Sequence, residues 1–140
     1  MKFKMKVMQY DKGMGAYDIA QAISKAQGIP KVDRIPPDYM PEKEVLIFVV
    51  VDGGKKLDQK VENWVHFLSE KSSANIAFIG VGVGSTGPMN QLADMAKKVG
   101  INVAGVYEVP VKGGLFKKGK ATEDDIKGAV DFAAKTVDSI

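Results

Sequence analysis

The 140-residue chain has no cysteine and only one histidine, His66. The first absence removes disulfide scaffolds, thiolate metal sites and cysteine nucleophiles, and it fits a reducing compartment such as the cytoplasm. The second removes imidazole-rich zinc sites and most histidine relays. Aromatics are sparse at 8%, and basic residues are not interleaved with them, so nucleic acid is not an expected ligand. The longest apolar run, Val45 to Val51, has seven residues, far short of the ~20 of a membrane-spanning helix. The basic start Lys2-Phe3-Lys4-Met5-Lys6 leads into no apolar stretch with a cleavage site, so no signal peptide is expected. No G-x-S-x-G elbow is present, which speaks against a hydrolase of that type. Net charge is only +3, enough to permit an anionic ligand or acidic partner without demanding one.

What is present is a core. Apolar residues make up 45% of the chain and charged residues 26%, the balance of one ordered domain over 1–140. Lys2 to Met8 alternates apolar and basic residues and predicts a strand. Ala16 to Ala26 carries Ile19, Ala20, Ile23 and Ala26 at helical spacing, with Gly28 as its stop. Lys31 to Ile35 is a short strand, and Pro36, Pro37 and Pro41 hold an extended connection. Glu44 to Val51 is apolar without alternation, as in a strand buried on both faces of a parallel sheet. Val61, Trp64, Val65 and Leu68 make the stripe of a helix over Lys60 to Ser69, so Trp64 is core and His66 faces solvent. Asn75 to Val81 is a further buried strand. A helix follows, with Pro88 expected at its first position and Gly100 at its end. Met5, Met89 and Met95 occupy core positions. Ile101 to Val109 is the fifth strand. Thr122-Glu123-Asp124-Asp125 has the form of a capping box before the last helix.

Alternating strands and helices with buried strands give an α/β fold, a three-layer open parallel sheet with helices on both faces. Ligands of such sheets bind beyond the carboxyl ends of the strands. The loops of interest are therefore 9–16, 52–59, 82–88 and 110–120. The first reads Tyr10-Asp11-Lys12-Gly13-Met14-Gly15-Ala16 and enters a helix, where main-chain amides can cradle a phosphate; the plain alternative is a tight turn allowed by two glycines. Asp52-Gly53-Gly54 closes the third strand and permits a reorienting peptide, or simply a turn. Gly82, Gly84 and Gly87 satisfy G-x-G-x-x-G around Val83, Ser85 and Thr86. The motif sits on a late unit, whereas NAD sites place it on the first and follow it with an acid at the next strand end. Lysines 12, 55, 56, 60, 112, 117, 118 and 120 fall on these loops and form one basic rim if the topology holds.

Taken with its length and loop positions, the chain resembles the short-chain flavodoxins over nearly its whole length. Gly80 to Gly87, Gly105 to Val109 and the block Gly114 to Asp125 carry the likeness. The resemblance implies the strand order 2-1-3-4-5, non-covalent FMN and electron transfer, with an acidic redox partner protein facing the basic rim. Aligned on Ala20, the family's phosphate loop S-x-T-G-N-T falls on Asp11, Lys12, Gly13, Met14, Gly15 and Ala16, none of which has a hydroxyl. Asp52, Gly53 and Gly54 match the loop at the flavin N5 edge. The loop that usually supplies a stacking aromatic falls on Val81 to Thr86, where Val83 would pack instead, with Tyr10 and Tyr17 the nearest rings. The implied FMN site is thus Tyr10 to Ala16, Asp52 to Gly54 and Gly82 to Thr86. Two alternatives follow from the same residues. One is a flavodoxin-like domain that has lost flavin and acts as a binding or assembly module. The other is a phosphoacceptor of the receiver type, using Asp52, Ser85 or Thr86 and Lys112, for which Asp11 alone stands where an acidic pair would hold Mg²⁺.

Overall fold

The computed structural model describes residues 4–53, 56–82, 84–111 and 120–140. Its five strands and four helices follow the order β1 (Met5–Tyr10), α1 (Ala16–Gln27), β2 (Val32–Arg34), β3 (Glu44–Asp52), α2 (Gln59–His66), β4 (Ser73–Val81), α3 (Thr86–Lys98), β5 (Asn102–Val109) and α4 (Glu123–Asp138). The strands form one parallel sheet in the order β2-β1-β3-β4-β5, the order expected above.

Two apolar layers explain the arrangement. On one face Ile19, Ala20 and Ile23 of α1 and Ala129 and Ala133 of α4 cover Val7, Phe48, Val50 and Ile79. On the other, Val61, Trp64 and Val65 of α2 and Met89, Leu92 and Ala96 of α3 cover Met8, Val49, Ile76 and Phe78. Successive strand residues point to opposite faces, so only a run apolar at every position satisfies both layers. Phe48 and Val49 are each fully buried, one on either side.

Several boundaries differ from the sequence expectation. β1 ends at Tyr10 rather than Met8, because Gln9 and Tyr10 continue the pairing with Val50 and Val51 of β3. Asp58 caps α2 by accepting from the Lys60 amide, and the helix stops at His66. Pro88 is the third residue of α3, not the first; the whole first turn lacks intrahelical N–H partners, so proline fits there too. Gly28 ends α1 in the left-handed region at φ 67°, and the Thr122–Asp125 capping box is present. Among the described residues no helix is long and apolar enough to cross a membrane.

Candidate functional site

Strand order places the expected loops side by side. β1 pairs with β3 and β3 with β4, so Tyr10 lies beside Val51 and Asp52 beside Val81. Chain connections leave β1 and β3 in opposite directions, which opens the crevice where α/β ligands bind. The crevice side of β1 carries the turn Asp11–Gly15. Gly13 and Gly15 have φ values of 101° and 115°, a region that side chains other than glycine rarely adopt. Gly15 is constrained twice, because a Cβ there would stand 2.8 Å from the Ala121 Cβ. The Ala121 amide donates to the Met14 carbonyl at 2.8 Å, so the residues before α4 brace the first loop.

The amides of this loop converge, as the sequence suggested, but on the protein's own carboxylates. Asp52 is fully buried. Its Oδ2 accepts from the amides of Lys12 at 2.7 Å and Met14 at 2.8 Å, and its Oδ1 accepts from Ala16 at 3.1 Å. Asp11 accepts from Gly13 at 2.5 Å and Tyr17 at 2.8 Å. α1 begins at Ala16 with Gly15 as its cap and no side-chain cap of its own. Asp52, delivered from the neighbouring strand, supplies the missing acceptor and the negative charge that a helix N-terminus favours.

Electrostatics follow from that enclosure. Burial pushes the Asp52 carboxyl up to about 6, against the pull of the Met14 and Lys12 amides, and the Asp11 charge adds to the rise. For Asp11 burial acts upward as well, but the Tyr17 and Gly13 amides outweigh it and the carboxyl lies below its ordinary value. The Asp11 and Asp52 carboxyls also act on each other, so the two titrate as a pair.

Lys12, Lys120 and the Tyr10 hydroxyl are likewise engaged. Lys12 Nζ is 2.8 Å from Asp58 Oδ2, a contact that raises the ammonium and helps hold the carboxyl low. The Tyr10 hydroxyl donates to the same carboxylate at 3.2 Å, and Lys12 lies 5.6 Å from the Tyr10 ring centre. Lys120 pairs with Asp18 at 3.5 Å.

The β4–α3 loop repeats the pattern of the first. Gly82 and Gly84 turn the chain at φ 123° and 83°. The Thr86 amide then donates to Glu108 Oε2 at 2.7 Å, and the Thr86 hydroxyl donates to the same oxygen. Those contacts hold the Glu108 carboxyl below its ordinary value. Gly80, in the strand as expected, lets α3 approach β4. A Cβ at Gly80 would stand 2.6 Å from Met89 Cγ and 2.7 Å from Ser85 Cβ. Ser85 is fully buried.

Of the expected site residues, the structure thus brings Tyr10 to Ala16 together with Asp52. Gly53 lies against β4, its amide donating to the Val81 carbonyl at 3.3 Å. Gly82, Gly84, Ser85 and Thr86 belong to the β4 turn and meet β5 through Glu108. Gly54, Val83, Lys55 and the Lys112–Gly119 part of the fourth loop lie outside the described residues. Asp58, Glu108 and Ala121 are the participants that sequence reasoning missed.

A phosphate monoester does not fit the first loop in this arrangement. Five amides there already serve carboxylates, and a dianion would face both Asp11 and Asp52. Nor does the arrangement favour the receiver reading: Asp52 is spent on three amides, and among the described residues no group of three histidine or acidic side chains could hold a metal ion. A groove of about 670 Å³ lies at the opposite end of the strands, where Lys6 and Lys31 share Asp33 and Lys4 faces Glu44.

Comparison with known proteins bears on the architecture. A solved structure titled as a short-chain flavodoxin associated with a non-canonical PDU bacterial microcompartment matches 99% of this chain and 99% of its own, with a TM-score of 0.67. The fold is flavodoxin-like. At 14% identity the likeness concerns the fold alone. No protein-family model and no curated protein matches this flavodoxin-like chain.

Proposed function

We propose that this flavodoxin-like domain works as a binding or assembly module and does not hold FMN through its β1–α1 loop. The observation that carries the reading is the Asp52 carboxylate seated on the amides of Lys12, Met14 and Ala16. A flavin phosphate would have to displace a buried, triply bonded carboxylate and then bind beside its charge. The absence of any hydroxyl from Asp11 to Ala16 supports the same reading, since hydroxyls are the usual supplement to such amides.

FMN-dependent electron transfer is the second reading, favoured by the end-to-end correspondence with a short-chain flavodoxin. One experiment separates the two. The purified protein is expected to lack flavin absorbance, and millimolar FMN is expected to leave its Tm unmoved. Stoichiometric flavin in the unsupplemented protein, or saturable stabilisation by FMN, would overturn the module reading in favour of the second.

A further inference from the structure

The two borders of the sheet are built differently. β2 has three residues, two of them the charged Asp33 and Arg34, and Pro36 and Pro37 follow one residue later. Short length, charge and proline are the usual means of keeping a border strand from pairing with another chain. β5 has eight residues, NVAGVYEV, with Glu108 as its single charge. It pairs with β4 on one side, and among the described residues no main-chain hydrogen bond reaches its other side. Every residue from Val103 to Glu108 is half-buried, whereas β3 and β4 are buried almost throughout.

The flanks of that border are apolar on both faces. Val103, Val106 and Met95 are partly buried on the α3 side, and Tyr107, Phe132 and Val130 on the α4 side. A strand edge with half-covered apolar layers above and below it has the character of a core cut in two, which is how self-association interfaces are built. Charge selects the occupant and its direction. Glu108 stands at the carboxyl end of β5, and Lys97 and Lys98, exposed on the last turn of α3, lead into its amino end. Two antiparallel copies bring unlike ends together, while no charge falls in the middle of the strand.

We propose that this chain forms a symmetric dimer in which β5 pairs antiparallel with β5 of a second copy, joining the two sheets into one. The inference is independent of whether the crevice takes FMN. Light scattering coupled to gel filtration, at protein concentrations on the order of 100 μM so that a weak interface is populated, is expected to give twice the chain mass of 15.1 kDa. Ala104→Lys, which sets a charge in the apolar border, is expected to return the mass to that of one chain while the circular dichroism stays native. Should that variant misfold, hydrogen exchange on the unaltered protein decides: β5 amides are expected to gain protection as concentration rises. A single-chain mass at that concentration would overturn the proposal, as would a dimer whose β5 amides exchange freely.

Discussion

Asp52 caps a helix that it does not precede: its Oδ1 accepts the amide of Ala16, first residue of α1, from the end of a neighbouring strand. One fully buried carboxylate therefore ends β3, closes the β1 turn and starts α1. The same device recurs where Glu108 of β5 accepts from Thr86, first residue of α3.

Asp52→Asn tests the first of these caps. An asparagine oxygen can replace Oδ2 for Lys12 and Met14, but its NH₂ then faces the Ala16 amide. Two donors opposed in a buried place should cost about 1–3 kcal/mol of stability at neutral pH. Urea unfolding measures it; an unchanged midpoint would show that Asp52 is not held as described.

The same variant exposes a pH dependence. Asp52 binds its proton more tightly folded, with a value of about 6 against an ordinary 3.8. Its contribution is therefore fully present below pH 4 and is lost as pH rises toward 6. Asp11, Asp58 and Glu108 are shifted downward, so their contributions run oppositely and are lost as pH falls below 4. Thermal melts between pH 4 and 7 should show the unaltered protein losing stability relative to Asp52→Asn as pH rises. A constant difference would contradict the assignment.

Glu108→Gln weakens the second cap while keeping its shape. The loss should be about 0.5–1 kcal/mol and should shrink in high salt, as expected of a helix-end charge near solvent. Removing Lys12 and Asp58 singly and together should reveal a coupling of only about 0.2–1 kcal/mol, because the pair is partly exposed. Chemical denaturation at two salt concentrations reads both.

Gly105→Ala probes the packing of α4 on β5. The new methyl would lie 2.8 Å from Phe132 Cζ, and that ring is stacked on Tyr107 at 5.0 Å between centroids. Overpacking of this kind should cost about 1–3 kcal/mol. Restoration of stability by a companion Phe132→Leu would confirm the source.

The architecture was legible because Val45 to Val51 of β3 and Ile76 to Ile79 of β4 are apolar without alternation, the pattern of a parallel sheet covered on both faces. Helix limits set by glycine and capping residues, Gly28 and Thr122 among them, could also be read directly. The end of β1 was less clear, since Gln9 and Tyr10 are strand only through their pairing with Val50 and Val51 of β3. At the crevice, the glycine turns and the converging amides were foreseeable, but the acceptors were not. Asp52 lies 36 residues beyond Ala16, and Glu108 lies 22 beyond Thr86. Once the order β1-β3 is known, an acid ending β3 beside a glycine turn of β1 is a detectable signal; local spacing alone carries none.

The brace between Ala121 and Met14 makes the first turn a non-local structure: its carboxylate acceptor comes from residue 52 and its steric backing from residue 121. No peptide cut short of Ala121 would carry every contact that holds this turn in the folded domain.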